Sequence, residues 1–193
     1  ACDGTLGLFN GALMTDETNP PGAPTDTGRI VLGSDGKLIV NDADLTLDEW
    51  DLDMTAGGSV TLSNNAVVEV GDLDMGATSV IRGAGTLDWS TIDSVPGSLI
   101  ENIGNLVLAQ LGITETPHTL RVNPGLVTYN RSSIVCNGFG ATPGNIQLNG
   151  GTFEVQDVFG NIGEITNFSA STISGFGIID ADIDNDGSIL PSG

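Results

Sequence analysis

The sequence Asp51-Leu52-Asp53-Met54 returns as Asp72-Leu73-Asp74-Met75, 21 residues further along the chain. Short apolar runs recur around the two copies at nearly the same spacing: Lys37-Leu38-Ile39-Val40, Ser59-Val60-Thr61-Leu62 and Ser79-Val80-Ile81-Arg82. Self-similarity at such a period is typical of repeat proteins, in which each unit packs on its neighbours. The repeat therefore predicts an all-β fold, a parallel β-solenoid with about 20 residues per coil.

The composition agrees with many turns and short strands. The 193 residues include 28 glycines, and 18 of the 25 acidic residues are Asp, which favours turns, rather than Glu, which favours helices. From Gly36 onward, short strand-like runs alternate with Gly, Asn, Asp or Pro. One run is ambiguous, because Ser98-Leu99-Ile100-Glu101 resembles a helix capping box. We predict a strand there, since Gly104 interrupts the helical pattern.

Residues 1–35 do not share the repeat. They contain Asn19-Pro20-Pro21-Gly22-Ala23-Pro24, which can form neither a helix nor a central strand. We predict an N-terminal arm or cap with a Pro-rich connector over residues 1–35 and a β-solenoid domain over residues 36–193. The arm would cap the first coil or add a strand to a neighbouring subunit.

The repeated Asp residues are the first candidate metal site. Strand alternation predicts that Asp51, Asp53, Asp72 and Asp74 point outward, and stacked coils would bring them within about 5 Å of one another. Unit charges at that distance repel by about 1 kcal/mol in water, so we expect either that loops hold the carboxylates apart or that a cation bridges them. Calcium, which takes six to eight oxygen ligands, is the natural candidate. The same alternation predicts that nine apolar side chains point inward: Leu38, Val40, Val60, Leu62, Val80, Leu52, Met54, Leu73 and Met75.

A second candidate calcium site is the run Asp182-Ile183-Asp184-Asn185-Asp186-Gly187. It matches the first half of a calcium-binding loop and makes Asp182, Asp184 and Asp186 candidate ligands. The position of the bidentate Glu is occupied by Gly193, which excludes a complete EF-hand. In the alternative interpretation, Ile179, Ala181 and Ile183 face the core while the neighbouring Asp residues face water.

Charge and cysteine content limit the partners and the compartment. Five basic residues against 25 acidic ones give a net charge of -20, so we expect repulsion of nucleic acid, anionic lipid and polyanionic sugars. No apolar run is long enough for a membrane helix, and we expect no membrane insertion. Cys2 and Cys136 lie too far apart for a Cys-x-x-Cys motif. They predict a disulfide, within or between subunits, and an oxidising compartment, with two buried thiols as the alternative.

The C-terminal residues carry a family resemblance. The stretch from Ile173 to Gly193 includes Gly175-Phe176-Gly177-Ile178 and Asn185-Asp186-Gly187-Ser188-Ile189-Leu190-Pro191. It resembles the Gly-x-Gly-x-Ile…Val-x-Asn-x-Gly-x-Ile-x-Pro-Gly coil of secreted right-handed β-helix surface proteins, including autotransporter passengers. The resemblance implies a right-handed β-helix located outside the cell.

No reaction centre stands out in the sequence. His118 is the only His, and it follows Pro117 in a predicted turn. Trp50 and Trp89 could stack on sugar rings, but each adjoins a repeated strand and is predicted to pack against it. The five basic residues are scattered along the chain, whereas a lyase acting on acidic sugar would need them together: Arg29, Lys37, Arg82, Arg121 and Arg131. We therefore expect a protein that is not an enzyme.

The open ends of a solenoid invite pairing with another strand. We therefore expect an extracellular structural protein, secreted or at the cell surface, that self-assembles end to end into a filament or surface layer. Its partners would then be copies of itself. The alternatives are a cell-surface adhesin or carbohydrate-binding β-helix rod that recognises surface glycans, and a polysaccharide-cleaving lyase or hydrolase.

Overall fold

The computed structural model describes residues 4–9, 13–15, 28–47, 50–110, 117–130, 133–138, 142–157 and 159–192. All regular secondary structure in these ranges is β, which confirms the all-β prediction. The described residues contain no helix that could span a membrane. The strands are β1 (Thr5–Phe9), β2 (Leu13–Thr15), β3 (Arg29–Val31), β4 (Lys37–Asn41), β5 (Asp44–Leu47), β6 (Asp51–Met54), β7 (Ser59–Met75), β8 (Val80–Ser94), β9 (Leu99–Gln110), β10 (Thr119–Val122), β11 (Leu126–Asn130), β12 (Ser133–Gly138), β13 (Thr142–Pro143), β14 (Asn145–Gln156), β15 (Glu164–Asn167), β16 (Thr172–Asp180), β17 (Asp182–Asn185) and β18 (Ser188–Pro191).

The strands pair in three rows, and the pairing within each row is parallel. The first row runs β1-β4-β7-β8-β9-β10-β14-β16-β18. The second row runs β2-β5-β7-β8-β9-β11-β14-β16, because the long strands bend and contribute to more than one row. The third row begins with β3-β6-β7-β8. Later in the chain, each of β12, β15 and β17 follows a second-row strand, and these three strands pair in parallel as a second sheet. This large parallel sheet is compatible with a solenoid.

The register of the first row repeats the sequence period. Lys37 pairs with Ser59, Ser59 with Val80 and Val80 with Leu99, at offsets of 22, 21 and 19 residues. The offsets are longer from Thr119 to Asn145 and shorter at the C-terminal end. The ambiguous run at Ser98 is confirmed as strand, since β9 begins at Leu99.

The N-terminal segment takes part in the sheet. β1 pairs in parallel with β4, β2 with β5, and β3 with β6. The described strands of residues 1–35 therefore cover the edges of β4, β5 and β6, and the division into an arm or cap over residues 1–35 and a solenoid domain stays a prediction. The apolar alternation at Leu6 and Leu8, which lie opposite Leu38 and Val40, explains this pairing. The Pro-rich connector lies outside the described residues.

Inward-facing side chains from all three rows form one hydrophobic core. Eight of the nine predicted inward residues are buried, and Val80 is the exception. Val80 pairs with Ser59 and Ile81 with Val60, so the strand is shifted by one residue from the alignment that the sequence indicated. Because successive side chains of a strand alternate between its faces, Ile81 takes the core position and Val80 faces outward.

Trp89 packs in the core, as predicted. Its side chain is fully buried and meets Tyr129 edge to face, with ring centroids 6.2 Å apart. Trp50 is partly buried and packs against the same core. Burial removes Trp89 from the candidates for stacking on sugar rings.

Stacked asparagines satisfy the backbone at the bends between rows. Asn102 is fully buried, its Oδ1 accepts from the backbone N–H of Asn123 at 2.6 Å, and its Nδ2 donates to the carbonyl of Gly104 at 2.7 Å. Asn149 donates in turn to Asn123 Oδ1 at 3.1 Å. Buried backbone groups need hydrogen-bond partners. The stacked asparagines supply such partners at bends where the backbone is not paired with a neighbouring strand.

Candidate functional site

The third row brings the repeated Asp residues together around an arginine. Arg29 lies in β3 beside β6, and its guanidinium contacts Asp51 at 3.5 Å, Asp53 at 3.2 Å and Asp74 at 3.6 Å. The predicted crowding of carboxylates is thus present, and the chain itself supplies a cation. Asp72 is exposed and instead accepts a hydrogen bond from the hydroxyl of Thr91.

The pKa values of two of these carboxyl groups are shifted in opposite directions. Burial alone would raise the pKa of Asp53, but hydrogen bonds from the Thr55 hydroxyl and backbone N–H, together with Arg29, lower the pKa of Asp53 below its usual value. Burial, followed by the adjacent charge of Asp53, raises the pKa of Asp74 in spite of Arg29. Asp93 continues the column beyond Asp74 and adds to this repulsion.

Replacing Arg29 by Gln should lower the free energy of unfolding at pH 7 by about 1 kcal/mol, the upper value for partly exposed ion pairs. The lowered pKa of Asp53 contributes stability above the pKa of the unfolded chain, and that stability is lost as the pH falls through the folded pKa. The raised pKa of Asp74 acts in the opposite sense, so ionisation of Asp74 costs stability as the pH rises. Without the positive charge of Arg29, the pKa values of Asp53 and Asp74 should both rise.

The loss should therefore be present at pH 7 and become small only as the pH falls below the lowered pKa of Asp53, toward about pH 2. Urea unfolding at the two pH values measures the difference. Lys37→Gln is the matched control, because it removes an equal charge from an exposed side chain that makes no ion pair within the described residues. Equal losses for Arg29→Gln at both pH values would contradict the assigned role of Arg29.

The second predicted calcium site lies in an extended strand. Asp182 and Asp184 belong to β17, Asp186 follows it, and all three side chains are exposed. A strand spaces alternate side chains by about 6.6 Å along its length, whereas a calcium loop wraps its oxygens around one ion. The described residues contain no group of three or more His, Cys, Asp or Glu side chains placed to hold a metal ion. Calcium binding at either acidic segment stays a prediction.

The C-terminal end of the sheet exposes both backbone and apolar side chains. Within the described residues β18 pairs with β16 alone and β17 with β15 alone, and every residue of β17 and β18 is exposed. Ile178 is 61% exposed and Leu190 58% exposed. An open cavity of about 350 Å³ lies beside Leu190. Its apolar lining includes Leu148, Ile173, Phe176, Ile189 and Leu190.

The opposite end presents a complementary edge. Within the described residues β1 pairs with β4 alone, and Leu6 is half-buried on the core. All pairings along the first row are parallel, so the outer edges of β1 and β18 face opposite ways along the stack while both strands run in the same direction. An edge of one end can therefore continue the edge of the other.

Three basic residues lie together, contrary to the prediction that the basic residues are scattered. Lys37, Arg82 and Arg121 all lie on the outer face of the first row, and Glu101 contacts Arg82 at 3.5 Å and Arg121 at 3.1 Å. Sequence reasoning missed this strip, because it depends on the register that places Arg82 opposite Glu101 and Glu101 opposite Arg121. Arg131 lies outside the described residues.

Cys136 and His118 are the remaining residues from the sequence analysis that the structure describes. Cys136 is buried in β12, whereas Cys2 lies outside the described residues, so the disulfide stays a prediction. His118 is partly buried, and this burial lowers the pKa of its imidazole. Its ring Nδ1 lies 3.2 Å from the hydroxyl of Thr119.

Comparisons of the chain with protein-family models, with characterised proteins and with solved structures give no match. The resemblance to secreted β-helix surface proteins therefore stays a prediction.

Proposed function

We propose that this protein is an extracellular structural protein that self-assembles end to end into a filament or surface layer. The observation that carries the proposal is the C-terminal end, where every residue of β17 and β18 is exposed and apolar side chains line an open cavity. Exposed, unpaired strand edges with apolar side chains are templates for another chain. A second copy would bury these side chains.

The direction of the strands favours head-to-tail contact. In a parallel sheet the added strand must run the same way as the edge it joins, which the N-terminal edge of another copy can do. A head-to-tail contact that continues the sheet moves each copy along the direction in which the strands stack, so it does not close into a ring and produces a filament. Two identical C-terminal ends would instead meet in opposite strand directions.

Charge supports the same orientation. The C-terminal end exposes Asp180, Asp182 and Asp184. Two C-terminal ends in contact would bring like charges together in a molecule whose net charge is already -20. Calcium, if the acidic run binds it, would reduce the repulsion between copies further.

In this proposal the three rows form a right-handed β-helix with about 20 residues per coil. The offsets of 19 to 22 residues between successive partners of Lys37, Ser59 and Val80 support that coil size. The handedness rests on the resemblance of the C-terminal residues and on the strong right-handed preference of parallel crossover connections.

Leu190→Lys should abolish the filaments, because it places a charge on the exposed edge strand β18. Negative-stain electron microscopy and sedimentation velocity of the wild-type protein, over a range of concentrations, should show long assemblies that the variant does not form. Ile103→Lys is the matched control, since Ile103 is 60% exposed but lies in the middle of the stack. Wild-type protein that stays monomeric at high concentration, with and without calcium, would refute the proposal.

A further inference from the structure

The basic strip of the first row borders an open groove. The groove has a volume of about 660 Å³ and lies on the outer face of β4, β7 and β8, away from the apolar C-terminal end. Its lining brings two cations together with four hydroxyl groups: Lys37, Arg82, Ser34, Ser59, Thr61 and Thr78. A feature of this kind is distinctive in a chain with only five basic residues.

Both cations can form further ion pairs and hydrogen bonds with a ligand. Lys37 is exposed and makes no ion pair within the described part of the chain. Arg82 is 46% exposed and contacts Glu101 through a single Nη atom at 3.5 Å. A guanidinium has five N–H donors in a fixed fork, so most of those on Arg82 stay available to a carboxylate.

The register places the two cations within the length of a short ligand. Lys37 is two strands away from Val80, and Arg82 is two residues beyond Val80. With strand spacings of about 4.8 Å and a rise of about 3.3 Å per residue, their Cα atoms lie about 12 Å apart. A ligand that carries two or more carboxylates along a short chain can therefore meet both side chains at once.

The side chains that line the groove favour a sugar ligand over a peptide. Val80 is the one apolar side chain among the described residues that line the groove, whereas peptides and protein partners are usually anchored by apolar side chains in pockets. Side-chain hydroxyls and cations on an open surface instead offer hydrogen bonds to many hydroxyl and carboxylate oxygens. The groove therefore fits a hydroxyl-rich anion.

We propose that this groove binds an acidic oligosaccharide, a short chain of sugars that carry carboxylates. The overall net charge of -20 opposes such a ligand, but charges further than about 8 Å away are largely screened at physiological ionic strength. Within that distance, Lys37 and Arg82 supply the positive charge of the groove. Asp35, which also lines the groove, and Glu101, which Arg82 shares with Arg121, reduce that charge. The site is independent of the proposed end-to-end assembly, because it does not involve the terminal strands.

Isothermal titration of the full chain with trigalacturonic acid tests the proposal, with neutral maltotriose and inorganic phosphate as comparison ligands. We expect saturable binding of trigalacturonic acid alone. Lys37→Gln and Arg82→Gln should each weaken it about fivefold, the effect of losing about 1 kcal/mol from an exposed ion pair. Asp35→Asn should strengthen it. Arg121→Gln is the matched control, since it removes the same charge from the strip but not from the groove.

Each other outcome overturns the proposal. Absence of binding to trigalacturonic acid excludes the site. Equal binding of phosphate identifies a nonspecific anion site, and an equal loss in Arg121→Gln identifies a general effect of charge. Thermal melting of each variant, which should show that it is fully folded at the temperature of the titration, excludes unfolding as the cause of lost binding.

Discussion

Trp89→Ala is expected to lower the free energy of unfolding by about 3 to 5 kcal/mol, the range for removing a large buried aromatic side chain. Trp89 is fully buried and packs edge to face on Tyr129, so its loss leaves a cavity in the middle of the stack. The residues on either side belong to strands held in three rows, which limits how far the cavity can collapse. Urea unfolding followed by circular dichroism measures the change.

Trp89→Phe is the control for this prediction. The indole Nε1 of Trp89 has no hydrogen-bond partner within the described residues, so Phe removes an unsatisfied donor while it keeps most of the ring contacts. We expect a loss of about 1 kcal/mol, well below that of the Ala variant. If Trp89→Ala left stability unchanged, Trp89 would have to be exposed, and its stacking on a sugar ring would become plausible again.

Gly83→Ala is expected to cost about 3 kcal/mol or more, because it combines backbone strain with a steric clash. Gly83 is buried where β8 passes from the first row to the second, and its φ is +153°. A Cβ at Gly83 would overlap the carbonyl oxygen of Leu62 in the neighbouring strand. The two strands would have to separate, and the hydrogen bonds between them would lengthen.

Gly104→Ala separates the two causes. Gly104 has a φ of +112°, but a Cβ there would meet only the Cβ of Ala84, at an ordinary distance of 3.4 Å. This variant should show the strain alone, about 1 to 2 kcal/mol. Thermal and chemical unfolding should show that Gly83→Ala is clearly less stable than Gly104→Ala. If Gly104→Ala were the less stable variant, the backbone of Gly83 would not lie as close to Leu62 as described.

The repeat in the sequence was sufficient to predict the strands that follow Gly36. The alternation of Leu52 and Met54 with the neighbouring Asp residues predicts a strand with one buried face, and those two side chains are buried. The prediction for Val80 was wrong by one residue. Near-identical spacing of apolar runs does not determine register, because a run of two apolar residues such as Val80-Ile81 satisfies the pattern in either alignment.

The candidate sites were less accessible to sequence reasoning than the fold. The crowding of Asp51, Asp53 and Asp74 could be predicted, since a repeat stacks equivalent residues on one another. The role of Arg29 could not, because Arg29 precedes the recognisable repeat and reaches the carboxylates only through the pairing of β3 with β6. The groove at Lys37 depends in the same way on register.

The amino-acid sequence by itself determined the class of structure, because short alternating strands of nearly constant period have few other ways to bury their apolar faces. It also determined the excess of negative charge, which is a matter of composition. Only the tertiary structure decided which charges meet, which edges stay open and which apolar side chains face solvent. These properties depend on the offset between successive strands, and a shift of one residue exchanges the two faces of a strand.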